Sequence, residues 1–205
     1  MKAVLLSIQP KWCELIASGE KTVEIRKTKP KLETPFKVYI YCTKGRGDCL
    51  WRWNGIWYDT QDPNHRPNRL DGNIIGEFVC KKIEDIQIRH FTVFGHENLY
   101  TAVGENPDNQ WLKHSCLSYS EVVQYGNLAP LYGWQISDLV IYDEPKELSE
   151  FFRKCEATRC EGCEHLKYQR VNRDEYDYDC EYFNYKIPIA RPPQSWCYVE
   201  ERSEK

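Results

Sequence analysis

The stretch "LLSIQPKWCELIASGEKTVEIRK", residues 5–27, decides how the chain is read. Its front, within "KAVLLSI" (2–8), is a short apolar run, the pattern of a buried strand. "QPKWCELIASG" (9–19) reads as a short helix. Pro10 suits the first helical position, Trp12, Leu15 and Ile16 fall on one face, and Gly19 suits the stop. "KTVEIR" then alternates as a strand, with Val23 and Ile25 facing in and Thr22, Glu24 and Arg26 facing out. Lysine, threonine, glutamate and arginine thus crowd one short stretch. A solvated strand face with ion pairs explains that at little energetic consequence. A small site that grips a base or a phosphate explains it too.

Outward from there, "FKVYIYCT" (36–43) alternates as another strand, and Pro30 and Pro35 bracket the loop before it. Residues 44–72, rich in Gly, Pro, Asn, Asp and Trp, read as a long irregular insertion. "NIIGEFVCKKI" (73–83) is a strand whose internal glycine marks a bulge or a close approach. Residues 90–114 read as loop. Ser118 and Glu121 form a capping box that opens a helix, "SYSEVVQYG". "YGWQISDLVIYD" (132–143) is a strand, and "EPKELSEFF" (144–152) offers a helical turn. Near residue 152 the character changes to Cys, Tyr and charge. The expected organisation is a domain over 1–150 and a cysteine-rich extension over 151–205. The strands lie too close together for βαβ units. The fold class expected is α+β, mainly β: a small, mostly antiparallel barrel with short helices in its connections.

The chain's 205 residues are 41% hydrophobic and 29% charged, enough to bury a core and too well mixed for disorder. No signal-peptide pattern and no membrane-length apolar run is present, so the expectation is a soluble, cytoplasmic protein with no membrane partner. The net charge of −3 argues against a broad nucleic-acid coat. The charge is uneven, however: residues 1–50 carry ten Lys/Arg against five Asp/Glu, and residues 51–150 eight against fifteen. A local basic face fits that balance.

Of the ten cysteines, Cys13, Cys42, Cys49, Cys80 and Cys116 are scattered and read as small hydrophobes. The others give C-x4-C-x2-C-x16-C-x16-C from Cys155 to Cys197. Cys160 and Cys163 form the C-x2-C knuckle that wraps two thiolates around zinc, with Gly162 allowing the turn. Cys180 is the third ligand expected. Cys197, in the strand-like "SWCYVE", is the fourth, with Cys155 as the alternative and His165 an outside choice. Such a site has no open position, so the zinc is structural and offsets the small core of a short polar segment. A disulfide or free thiols is the other explanation, less suited to a reducing compartment.

The opening "SG-x-K-T-x-E-x-R" after a strand and a Pro-containing helix resembles the start of an ASCH domain, of the PUA-like superfamily. "GNIIGEFVC" resembles the family's central barrel strand, and "YGWQISDLVIYD" its late strand, most of all in bacterial and phage versions. "RPPQSWCYVEE" resembles a tail on some prokaryotic members. The resemblance spans roughly residues 3–145. It implies a PUA-like β-barrel with a cleft between barrel and first helix, where RNA or a nucleotide binds. One small branch hydrolyses N4-acetylcytidine with a lysine, a threonine and a glutamate. Its lysine matches Lys21, its threonine falls at Glu24, two residues after Thr22, and its glutamate has no match here. A ribonuclease activity also occurs in the family.

The nucleic-acid-binding set expected is therefore Ser7, Gln9, Lys21, Thr22, Glu24, Arg26 and Trp134. Lys21 and Arg26 suit a phosphate, Arg26 by its fork. Glu24 accepts from a base amino group or pairs with its basic neighbours. Ser7 and Gln9 open the first helix, where anion binding and plain capping are equal explanations. Trp134 either walls the cleft or belongs to the core. Trp51, Trp53, Trp57 and Tyr58 sit among Lys44, Arg46 and Arg52; anchoring a long loop explains them better than RNA stacking. If the protein is an enzyme, Lys21 and Glu24 are its working pair. A third class is a protein-interaction module of a phage or mobile element, using the zinc knuckle. No histidine pair has metal spacing, and no phosphate-binding glycine loop occurs.

Overall fold

The computed structural model describes residues 2–45, 51–53, 56–58, 69–91, 99–104, 110–154 and 186–201. Strand β1 (Ala3–Ile8) lies parallel to β3 (Phe36–Cys42), with Val4 opposite Val38 and Ile8 opposite Cys42. Both are covered on both faces, which is why they read as near-continuous apolar runs. Val4, Leu6, Ile8, Val38, Ile40 and Cys42 enter the main core with Phe78 and Trp134. Ala3, Leu5, Tyr39 and Tyr41 face a second layer with Phe151, Ile189 and Val199.

The other described strands complete the sheet: β2 (Val23–Arg26), β6 (Ile74–Phe91), β7 (Leu99–Val103), β8 (Leu131–Lys146), β9 (Phe151–Lys154), β10 (Lys186–Pro188) and β11 (Trp196–Glu201). Their order is β10-β9-β11-β1-β3-β6-β8-β2, with β7 also on β6. Every pairing but β1–β3 is antiparallel. The sheet curls: Trp134 of β8 and Trp196 of β11, four positions apart in strand order, bring their rings within 6.1 Å. The mainly β architecture with short helices is the one the alternating strands imply. Gly76 marks a close approach, since a Cβ there would meet the Val140 carbonyl, and the β6–β8 register shifts beside it.

Helix α1 (Pro10–Ala17) begins at Pro10 and buries Pro10, Cys13 and Ile16, while Gly19 takes φ +82° just past its end. Helix α3 (Tyr119–Gly126) opens on the Ser118–Glu121 capping box, with both reciprocal bonds made. It packs with α2 (Gln110–Ser115) through Trp111 and Val122 onto Ile25, Ile86, Ala102 and Leu131.

Several segments depart from the reading of the sequence. β6 runs on to Phe91 rather than ending near 83, and β7 and α2 occupy part of the stretch read as loop over 90–114. The extension of β6 alternates like its start, with Ile86 and Ile88 in the core under α2 and α3 and Gln87 and Arg89 exposed, and it pairs with β7 and β8. α2 is too short to show a helical period, and its two buried residues, Trp111 and Ser115, anchor it. Residues 51–53 and 56–58, inside the stretch read as irregular, pair as a hairpin of β4 (Trp51–Trp53) and β5 (Ile56–Tyr58). β11, read as the closing strand of a separate small domain, lies in the main sheet between β9 and β1, with Leu5 opposite Cys197. Among the described residues, no helix is long and apolar enough to cross a membrane.

A candidate nucleic-acid interface around a buried ion triad

β2 is short and covered on both faces. Ile25 packs under α2 and α3, so Glu24 and Arg26 turn the other way, to the side that carries Trp134 and Tyr132 opposite them on β8. The outward, solvated orientation expected for Glu24 and Arg26 is thereby corrected: alternation marks two faces, and here the helices cover one while the curled sheet covers the other. Glu24 is 6% exposed, Arg26 8% and Lys21, just before the strand, 2%.

The three side chains form one unit. Glu24 divides its carboxylate, with Oε2 3.2 Å from Lys21 Nζ and Oε1 2.9 Å from Arg26 Nη2. Lys21 Nζ also donates to the Ser115 carbonyl at 2.6 Å, and Arg26 Nη2 to the Ser7 carbonyl at 2.6 Å. The Trp12 ring centroid lies 5.1 Å from Lys21 Nζ. Two cations share one carboxylate, so the triad keeps a formal charge of +1. Desolvating it is costly, and the two carbonyls supply part of the compensation. Arg26 Nε has no hydrogen-bond partner; among the described residues only it and Trp134 Nε1 are buried side-chain N or O atoms in that condition. A buried cationic group with a spare donor is chemistry for an anionic or acceptor-rich ligand.

The remaining expected residues take distinct places. Thr22 does not join Glu24 and Arg26: its Oγ1 lies 3.1 Å from His114 Nδ1, and its N–H donates to the His114 carbonyl. Ser7 is a junction rather than a free hydroxyl. Its carbonyl accepts from Arg26 while its Oγ donates to the Pro193 carbonyl at 2.6 Å. Gln9 caps α1 through its backbone, and its exposed side chain makes no capping bond. Trp134 is wholly buried, edge-on to Phe36 with ring centroids 5.8 Å apart, and so belongs to the core. Cys13 sits close enough to the triad to feel it. Burial first, then the neighbouring Cys42 thiol and the Glu24 charge, push its thiol well above the ordinary range, against Arg26.

Three participants escaped the sequence reading. The Ser115 carbonyl is a backbone group with no sequence signal. His114 has a partner only because α2 docks beside Thr22. Tyr125 of α3 has Lys27 Nζ 4.9 Å from its ring centroid; burial raises its hydroxyl, Arg26 opposes that shift and Glu24 adds to it. Cys155, Cys160, Cys163, His165 and Cys180 lie outside the described residues, as do Arg46 and the side chains at 51–58. Cys197 is a half-buried free thiol on β11, packed against the second layer.

The model of the ASCH domain family matches residues 6–187. The chain belongs to the ASCH domain family. ASCH domains are PUA-like modules of an RNA-binding type, and the mainly β, α+β fold agrees with that. The crystal structure of ASCH from Zymomonas mobilis is 16% identical, covering 97% of this chain and 87% of that one, with a TM-score of 0.48. A single-substitution form of that Zymomonas mobilis ASCH gives 16% identity, 98% and 91% coverage and a TM-score of 0.49. No curated protein matches the chain.

Proposed function

We propose that this ASCH domain binds RNA or a nucleotide in the cleft beside α1 and β2, with Lys21 and Arg26 drawing a phosphate and Glu24 holding both in place. The observation that carries this reading is the buried triad of two cations on one carboxylate, with Arg26 Nε left without an acceptor. An approaching phosphate or base acceptor meets positive charge already desolvated and oriented. Ser7 acts through its carbonyl on Arg26, Thr22 through His114 on the start of β2, and Gln9 offers a free amide at the start of α1. Trp134 supports the floor from the core.

A second reading has one favourable observation, the 3.2 Å contact between Lys21 and Glu24. There the pair works on a modified pyrimidine nucleoside, or on RNA as a ribonuclease. A structural zinc on Cys160, Cys163, Cys180 and Cys197, or Cys155 in the fourth place, is a separate proposal resting on spacing.

The test is binding of a labelled single-stranded RNA pool to wild type, Lys21→Ala and Arg26→Lys at two salt concentrations, with thermal unfolding of each variant alongside. Folded variants that bind at least ten-fold more weakly, with a wild-type salt slope of only a few ions, support the compact site. Turnover that disappears in Lys21→Ala supports the enzyme. Binding that ignores both variants and salt refutes the cleft and favours a protein-interaction module.

A further inference from the structure

The triad accounts for one phosphate or one base, yet the surface around it carries more. Trp12 has Lys11 Nζ 4.4 Å from its ring centroid and Lys21 at 5.1 Å. Tyr125 has Lys27 at 4.9 Å, and Tyr132 has Lys29 at 4.8 Å. Two of the rings border the triad, and the third is reached through Lys27, the residue after Arg26. Trp12 contacts Lys21, Tyr132 stands opposite Arg26 in the β2–β8 register, and Tyr125 meets Lys27, which follows Arg26 in the chain. Lys27 and Lys29 follow from the way β2 ends, because the chain leaves Arg26 into an exposed loop with a lysine at every second position, 27, 29 and 31.

Stability does not call for this arrangement. An exposed lysine over an aromatic face is a weak contact. Tyr125, 39% exposed, is the one aromatic among the large hydrophobics left exposed in the described residues. Counter-charge is present but partial. Asp85 holds Lys29 at 2.8 Å, and Glu121, whose carboxyl the Ser118 hydroxyl and N–H hold below the usual range, also feels Lys11. Lys11 and Lys27 make no ion pair among the described residues. A ring flanked by an exposed ammonium is the element from which single-strand binders are built, the ring for a base and the ammonium for the backbone.

We propose that Trp12–Lys11, Tyr125–Lys27 and Tyr132–Lys29 form a lysine–aromatic track that carries a single-stranded RNA out of the triad, so that the ligand is a strand of several nucleotides rather than a free nucleotide. This rests on the reading of the triad as a phosphate site. A duplex does not fit, because its bases are stacked on each other and unavailable to the rings.

The experiment measures binding of fluorescein-labelled mixed-sequence RNA of one, two, four and eight nucleotides, and of an eight-base-pair duplex, to the full chain. Wild type is expected to bind the eight-nucleotide strand at least ten-fold tighter than the mononucleotide and at least ten-fold tighter than the duplex. Tyr125→Ala and Lys27→Ala are expected to weaken the eight-nucleotide strand five-fold or more, while Tyr125→Phe stays within two-fold. Lys146→Ala removes a like contact with Tyr142 elsewhere on β8 and is expected to change nothing. Tyr125 and Lys27 lie at the surface, and unchanged thermal unfolding identifies folded variants. A strand affinity that falls with Lys21→Ala but not with Tyr125→Ala or Lys27→Ala overturns the track and leaves the triad standing. Equal affinity for mononucleotide and strand, or for duplex and strand, also overturns it. No binding by wild type to any probe overturns both proposals.

Discussion

Replacing Glu24 by glutamine tests the energetic logic of the triad most directly. The glutamate is buried and lies within 3.2 Å of Lys21 and 2.9 Å of Arg26, so glutamine keeps the shape and removes the one negative charge between two cations. Losing one partner of a buried pair costs roughly 3–5 kcal/mol, and here two cations lose their shared partner, which places Glu24→Gln at the upper end. Lys21→Met is a different perturbation. It leaves Glu24 and Arg26 as a one-to-one pair and strands only the Ser115 carbonyl, at a cost of about 1–3 kcal/mol. The prediction is therefore an ordering, Glu24→Gln worse than Lys21→Met, with the double variant coupled by about 0.5–3 kcal/mol. Urea unfolding at neutral pH measures it. With a slope of about 2 kcal/mol/M the midpoint falls by roughly 2–2.5 M for Glu24→Gln and 0.5–1.5 M for Lys21→Met. A Glu24→Gln midpoint within about 0.3 M of wild type, or the reverse ordering, would refute the shared-carboxylate account.

Four other outcomes are expected. Trp134→Ala should cost about 3–5 kcal/mol in urea unfolding, and Trp134→Phe clearly less, because the phenylalanine keeps most of the ring and discards an N–H with no partner. Ser118→Ala should remove the capping bonds of α3 and cost about 1 kcal/mol, seen as a thermal midpoint lower by about 2–4 °C. Burial pushes the Cys80 thiol from 9.0 up to about 12, so its contribution is intact below pH 9 and is lost as pH rises from 9 towards 12. Cys80→Ala should accordingly flatten the alkaline fall in stability by up to about 1.4 kcal/mol per pH unit in that window. Metal analysis of the native chain should find one zinc, lost in the Cys160→Ser, Cys163→Ser double variant; a metal-free wild type would remove the zinc proposal.

What the sequence made legible was local. Pro10 and Gly19 bound α1, and Ser118 with Glu121 opens α3, because caps depend on residues a few positions apart. The members of the triad were legible as residue types in one short stretch. Their burial was not, since Glu24 and Arg26 face the side of the curled sheet that carries Trp134 and Tyr132, and Lys21 bonds the end of α2, all more than ninety residues later. Thr22 was misplaced for the same reason: it lies just before β2, where His114 captures its hydroxyl. "SWCYVE" announced a strand by its composition, but its partner is β1 at the other end of the chain, and no local pattern encodes so distant a pairing.

That distant pairing bears on the site through Ser7. This residue spends its N–H on the Ser195 carbonyl and its hydroxyl on the Pro193 carbonyl, and its own carbonyl receives Arg26. The segment before β11 thus fixes the end of β1 that fixes the guanidinium. Two side-chain bonds tighten the same corner, Trp196 Nε1 to Thr28 Oγ1 at 2.9 Å and the Lys31 N–H to Tyr198 Oη at 2.8 Å. Both fall on the lysine-bearing loop that follows β2. The cationic residues of the first fifty positions therefore owe their arrangement to the last fifteen. Net charge alone argued against a nucleic-acid surface because it averages over the chain, whereas Lys21, Arg26, Lys27 and Lys29 all come from β2 and its two ends, with Glu24 shared by the first two and Asp85 on the last.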